Sequence, residues 1–173
     1  MTELAVVATL GGKELFMRGD QKVIEQLNAA LSAELTAIAQ YMVQAEMCVS
    51  WGYHRLGGLT KARAIQEMHH AERLIERIIF LDGTPAIDIP LTPKVGATAQ
   101  QQLEIDYADE ADAVRQYNNA AKLCHEVGDA GSKDLFESMI QDEEQHADFL
   151  EAQIHAIKEI GIGAYLSQQL QAQ

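Results

Sequence analysis

Cysteine, proline and basic residues are scarce in this sequence, and each scarcity excludes something. Two cysteines among 173 residues, Cys48 and Cys124, make neither a disulfide framework nor a zinc site. They point to a reducing compartment, and the cytoplasm is the expected location. Lysine and arginine number 13 against 26 acidic residues, a net charge of −13. Phosphate binding needs a basic surface, so nucleic acid is not expected as a partner. Acidity of this degree suits a protein that draws in cations. No apolar run approaches the roughly 18–20 residues of a membrane span, so no membrane partner is expected. The start, MTELAVVATLGG, has a short apolar run but no basic residue before it. It reads as an N-terminal extension, residues 1–17, rather than a secretory signal.

What is present is a chain able to bury a core. Apolar residues make up 47% and charged residues 23%, as in an ordinary globular domain. One domain, residues 18–173, is expected. All three prolines lie between 85 and 93, and the glycines leave four Gly- and Pro-free stretches: 20–51, 59–82, 97–127 and 132–160. Each can hold a long helix, and a short fifth element follows from Ala164 to about Leu170. Leu27, Leu31, Leu35, Ile38 and Met42 recur at helical steps in the first stretch, and Leu135, Met139, Phe149, Ile154 and Ile157 keep a similar phase in the fourth. Asp20 is a candidate N-cap. Short Gly-containing turns join the first pair of helices and the second pair. LDGTPAIDIPLTPKVG, residues 81–96, runs between the pairs as an extended crossover. The expected class is all-α: a ferritin-like four-helix bundle with a long crossover between helices two and three, plus a short C-terminal fifth helix.

The two halves repeat at an offset of 76 residues without a gap. Glu34 matches Glu110, Gln40-Tyr41 matches Gln116-Tyr117, Cys48 matches Cys124, Glu67 matches Glu143, and His70-Ala71 matches His146-Ala147. Two copies are too few for a solenoid and suggest a pseudo-twofold bundle. Matched ligands can then face one site from opposite sides.

Two Glu-x-x-His pairs, Glu67/His70 and Glu143/His146, each place a carboxylate and an imidazole on one helix face. Such pairs alone are weak. Glu34 and Glu110 each lie 33 residues before the Glu of a pair, and both sit among apolar residues of their stretches. Four carboxylates facing a bundle core are costly unless cations neutralise them. One Glu from each of two helices and one Glu-x-x-His from each of the others is the pattern of di-iron and di-manganese carboxylate bundles. These donors suit two hard or borderline divalent metals. Glu67 and Glu143 are the expected bridges; Glu34, Glu110, His70 and His146 complete the shells. Tyr41, two turns beyond Glu34, is either a packed core tyrosine or a nearby electron donor. His54, His125 and His155 have no evident partners and are expected on the surface; Cys48 and Cys124 are expected to be packing residues. The second stretch has another apolar face, Ile65, Met68, Ile75 and Ile79, which calls for a second partner, another subunit. On these residues alone, Met68 reads as interface packing.

MRGDQKVIEQLNAAL, AELTAIAQY, EMHHAERLIERIIFLDG, DEEQHADFLEAQ and IGIGAYLSQQL together resemble the bacterioferritins, from about Met17 to Gln169. The resemblance implies a 24-subunit shell that stores ferric mineral and oxidises Fe²⁺ with O₂ or peroxide. It implies a ferroxidase site at Glu34, Glu67, His70, Glu110, Glu143 and His146, all six present. It implies haem b or a related porphyrin on the twofold interface, one per subunit pair, with Met68 as axial ligand, which replaces the packing reading. Haem would admit electrons from a small redox partner during iron release. Tyr41 matches a tyrosine near the family's iron site. Where some members carry a His and an Asp on the inner shell surface, this chain has Ala62 and Gln66. Without them, iron would reach the cavity through the ferroxidase site, with His146 or His70 moving aside. The remaining alternatives are a non-storage di-iron oxidase or peroxidase of the same fold, and a haem-binding or structural subunit, against which the complete ligand set argues.

Overall fold

The computed structural model describes residues 19–87 and 92–171; the expected extension, residues 1–17, lies outside them. Every element among the described residues is a helix. They are α1 (Gln21–Ser50), α2 (His54–Phe80), α3 (Ala99–Val127), α4 (Ala130–Ile160) and α5 (Ile162–Ser167). Asp20 caps α1 by accepting from the Lys22 amide. Thr98 and Asp129 cap α3 and α4 in the same way, through the amides of Gln101 and Ser132.

Two helices begin earlier than glycine punctuation predicts. α2 runs through Gly57 and Gly58, and α4 through Gly131. Gly57 is there for contact: a Cβ on it would lie 2.8 Å from Val49 Cγ2 and 3.0 Å from the Ala45 carbonyl. Glycine thus lets the first turn of α2 press against the last turns of α1. The turns proper are shorter than expected, and Gly52 and Gly128 make them at φ 88° and 79°.

Contacts across the bundle give its topology. Along α1, Glu34, Tyr41 and Cys48 meet Tyr117, Glu110 and Gln102 of α3 in descending order. Along α2, Arg63, His70 and Arg77 meet Glu143, Asp142 and Asp129. The helices therefore run up, down, down, up, with one long crossover, as in ferritin-like bundles. The crossover is tied to α1 at both ends: Asn28 bonds to Thr84 and Ala86, and the Lys94 amide donates to Gln40.

The apolar core is in two pieces. One packs Leu27, Leu31, Leu74, Ile78, Phe136 and Met139; the other packs Leu56, Leu103, Leu150, Ile157 and Tyr165 around the far end. Cys48 and Cys124 are buried, free thiols, one in each piece. The short α5 closes the second piece, with the Tyr165 hydroxyl donating to Gln153 and the Gln169 carbonyl accepting from the Arg55 amide. Between the two pieces lies a polar layer. This layer explains two phase errors in the expected core. Met42 is 58% exposed, and Phe149 lies at the surface. Past Leu31, the inward face of α1 is carried by Glu34, Gln40, Tyr41 and Gln44, all buried, so an apolar stripe drawn through Met42 leaves the core.

Candidate metal centre

Helical spacing brings the six residues of the sequence reading into the polar layer. Glu34 comes from α1, Glu67 and His70 from α2, Glu110 from α3, and Glu143 and His146 from α4. The four glutamates and His70 are buried; His146 is partly so. One ligand atom each from Glu34, Glu67, His70 and Glu143 lies within 4.8 Å of the others. The same is true of Glu67, Glu110, Glu143 and His146. Glu67 and Glu143 belong to both groups, as bridging carboxylates would. Buried charge of one sign at this density requires cations or protons.

Side chains supply part of that positive charge. His70 Nδ1 stands 3.0 Å from both Glu67 Oε2 and Glu143 Oε1, and 3.5 Å from Glu34 Oε1. Burial opposes its charge, but these carboxylates outweigh burial and push His70 up to about 12. Neither His70 Nδ1 nor Glu67 Oε2 is aligned for a hydrogen bond, and the imidazole must shed its proton before Nδ1 can ligate. Burial and the carboxylates around them raise Glu67 and Glu143 above the ordinary carboxylate range. Glu110 goes the other way. Burial alone would raise it, but His146 Nδ1 at 2.7 Å and the Arg63 guanidinium hold it low.

Four groups that sequence reasoning did not assign complete the layer. Arg63, one turn before Glu67, inserts its guanidinium among Glu67, Glu110 and Glu143. Tyr117 donates to Glu34, as Tyr41 donates to Glu110 at 2.5 Å. The two tyrosines are equivalent in the repeat, and each crosses to the carboxylate of the other half. The repeat was the available signal for Tyr117. Asp142 lies 3.3 Å from His70 Nε2, the carboxylate–imidazole arrangement that orients metal-bound histidines. Asp106 accepts from Gln40 and Gln44 behind Tyr41. His146 is less buried than His70; its ring stacks on Phe149 at 6.3 Å and meets the edge of Tyr41 at 5.9 Å.

A cavity of about 450 Å³ leads from the crossover, at Thr92 and Lys94, between α1 and α3 to the carboxylates. Ala33, Ala37 and Ala113 leave it open, and Asp109 and Asp112 stand along it. Met68 is not in the layer. It faces outward from α2, 42% exposed, with Ile65 and Ile79 also exposed along that helix. His54, His125 and His155 are exposed, and Ala62 and Gln66 lie exposed on the flank of Arg63.

A bundle of this topology, split by a layer of paired Glu and Glu-x-x-His residues, has the arrangement of the ferritin-like carboxylate bundles. The ferritin-like domain family matches residues 24–160. The chain is 46% identical over 145 residues to a bacterioferritin of Rhodobacter capsulatus, covering 84% of this chain and 90% of the relative. It is 41% identical over 149 residues to one of Brucella melitensis biotype 1, covering 86% and 92%. It is 37% identical over 152 residues to one of Mycobacterium avium, covering 88% and 96%. The chain belongs to the bacterioferritins, within the ferritin-like family.

Proposed function

We propose that this chain is the subunit of an iron store that oxidises its own cargo. The observation that carries the reading is the sharing of Glu67 and Glu143 between two buried ligand groups. Fe²⁺ is the substrate. It is drawn in by the acidic surface and passes along the cavity past Asp112 and Asp109 to the carboxylates. Glu34 and His70 hold one ion, Glu110 and His146 the other, and Glu67 and Glu143 lie between them. Metal binding releases a proton from His70, because a ligating imidazole must be neutral. Asp142 keeps His70 in place as that happens, and Tyr117 and Tyr41 fix the outer carboxylates by donating to them. Two iron ions held this close can pass electrons jointly to O₂ or peroxide. Tyr41, on Glu110 and against His146, would supply a further electron. Of the two histidines His146 is the less buried, which favours it over His70 as the ligand that moves aside as ferric product leaves for the cavity.

Storage requires an enclosed volume, and the family implies a 24-subunit shell in the cytoplasm. The exposed apolar line on α2 supports a twofold contact between copies. Met68 within it fits haem: a soft thioether donor, accessible, with apolar Ile65 beside it. Met68 from each of two subunits would hold haem, which would supply one-electron transfer, with a small redox protein as the expected donor for iron release.

An aerobic Fe²⁺ titration of the metal-free protein tests the reading, following the oxidation burst and the iron retained after desalting. The expected result is a burst saturating at about two irons per chain, as the two-metal template requires, then slower uptake of far more. Glu143→Ala should lose the burst and keep the assembly. A burst with no retained excess would instead identify a non-storage di-iron oxidase.

A further inference from the structure

Arg63 stands in space that a metal needs. Its Nε lies 2.5 Å from Glu67 Oε1, and its Nη2 lies 3.4 Å from Glu110 Oε2 and contacts Glu143 Oε2. These are all three carboxylates of the group that includes His146. The guanidinium therefore fills one of the two positions more completely than the other, where it touches two of three carboxylates. The internal repeat is broken at this point: the residue 76 positions on is Met139, a buried apolar side chain. An arginine cannot shed its charge by losing a proton, so it must leave bodily. Its Nη1 is already 3.4 Å from Oε1 of Gln66, an exposed side chain. Gln66 and Ala62 carry no charge that would hold the guanidinium outside, so its return is not opposed.

We propose that Arg63 is a displaceable internal cation that occupies the Glu110–His146 position in the metal-free protein and swings toward Gln66 to admit the second divalent ion. The two positions then fill in order: the Glu34–His70 side first, the Glu110–His146 side later and more weakly. The carboxylates are never left without a positive partner, and a departing ion is replaced at once by the guanidinium, which favours onward transfer over retention. The inference rests on the two-metal reading above.

Calorimetric titration of the assembled, metal-free protein with redox-inert Zn²⁺ tests it. Two unequal steps are expected, and Arg63→Gln should tighten the second by at least about tenfold, a change easily resolved in affinity. Arg63→Met, which copies Met139, should do the same. Unfolded by heat, Arg63→Gln should be less stable than the parent when metal-free and equal to it when zinc-loaded; a merely structural role would lower both. Equal steps in the parent, unchanged in the variants, would overturn the inference and leave the two-metal reading standing. No zinc bound by parent or variants, or binding unaffected by Glu143→Ala, would overturn both. Should the variants fail to assemble, a crystal structure of the zinc-loaded parent decides. A guanidinium turned toward Gln66 is expected, and one still on Glu67 and Glu143 beside a bound ion would refute the inference.

Discussion

A carboxylate inside a helical bundle is defined by what answers its charge. Glu67 and Glu143 are answered by His70 and Arg63, Glu110 by His146, Arg63 and the Tyr41 hydroxyl, Glu34 by the Tyr117 hydroxyl with His70 at 3.5 Å, and Asp106, among the described residues, by the amides of Gln40 and Gln44. Burial without a cation pushes Asp106 up to about 7. The folded chain then keeps a proton that the unfolded chain loses near the ordinary carboxylate value, so Asp106 erodes stability as pH rises from about 4 to 7. Asp106→Asn keeps the acceptor and removes the charge. Its thermal midpoint should exceed the parent's at pH 8, with the gap closing toward pH 4; a gap independent of pH would show that Asp106 ionises normally. The clustering of the six residues is legible in the sequence because they repeat with fixed spacing. Arg63 was not, because arginine four residues before glutamate is ordinarily an exposed helix pair, and nothing local tells a reader that this pair points inward.

Helix existence was readable from the glycine pattern, but helix ends were not, because a glycine can serve contact as well as termination. Gly57 and Gly58 separate the two uses. A Cβ at Gly57 meets Val49 and the Ala45 carbonyl, whereas one at Gly58 meets nothing within 4 Å. Gly57→Ala should destabilise by about 1–2 kcal/mol through overpacking against α1. Gly58→Ala should stabilise by up to about 1 kcal/mol through helix propensity. Thermal or guanidinium unfolding of the pair checks the opposite signs, and two changes of the same sign would refute the contact role. The phase errors at Met42 and Phe149 share one cause. Apolar periodicity finds the core only where the core is apolar, and the middle third of this bundle is not.

For the whole molecule, the outer face of α2 matters as much as the interior. Glu67 and Met68 are adjacent in sequence yet face opposite environments, one buried and one 42% exposed. The reading of Met68 as a haem ligand therefore makes a separable prediction. Met68→Leu should lose bound haem, seen as loss of the visible haem absorption. Assembly size and the initial burst of Fe²⁺ oxidation should not change. Haem retained in that variant would remove Met68 from the assignment, and a lost burst would show that the two sites are coupled through α2.

The division of the ligands between the hairpins has a consequence for how the chain matures. Glu34, Glu67 and His70 lie on α1 and α2; Glu110, Glu143 and His146 lie on α3 and α4. Each ligand group borrows one bridging carboxylate from the other hairpin. A ribosome delivers the first hairpin well before the second, and that hairpin alone lacks a fourth donor for any ion. It does carry Arg63, which reaches Glu67 along its own helix. The newborn half-chain thus shields Glu67 with its own side chain, and both groups of clustered residues are complete only once the second hairpin has been made and has docked.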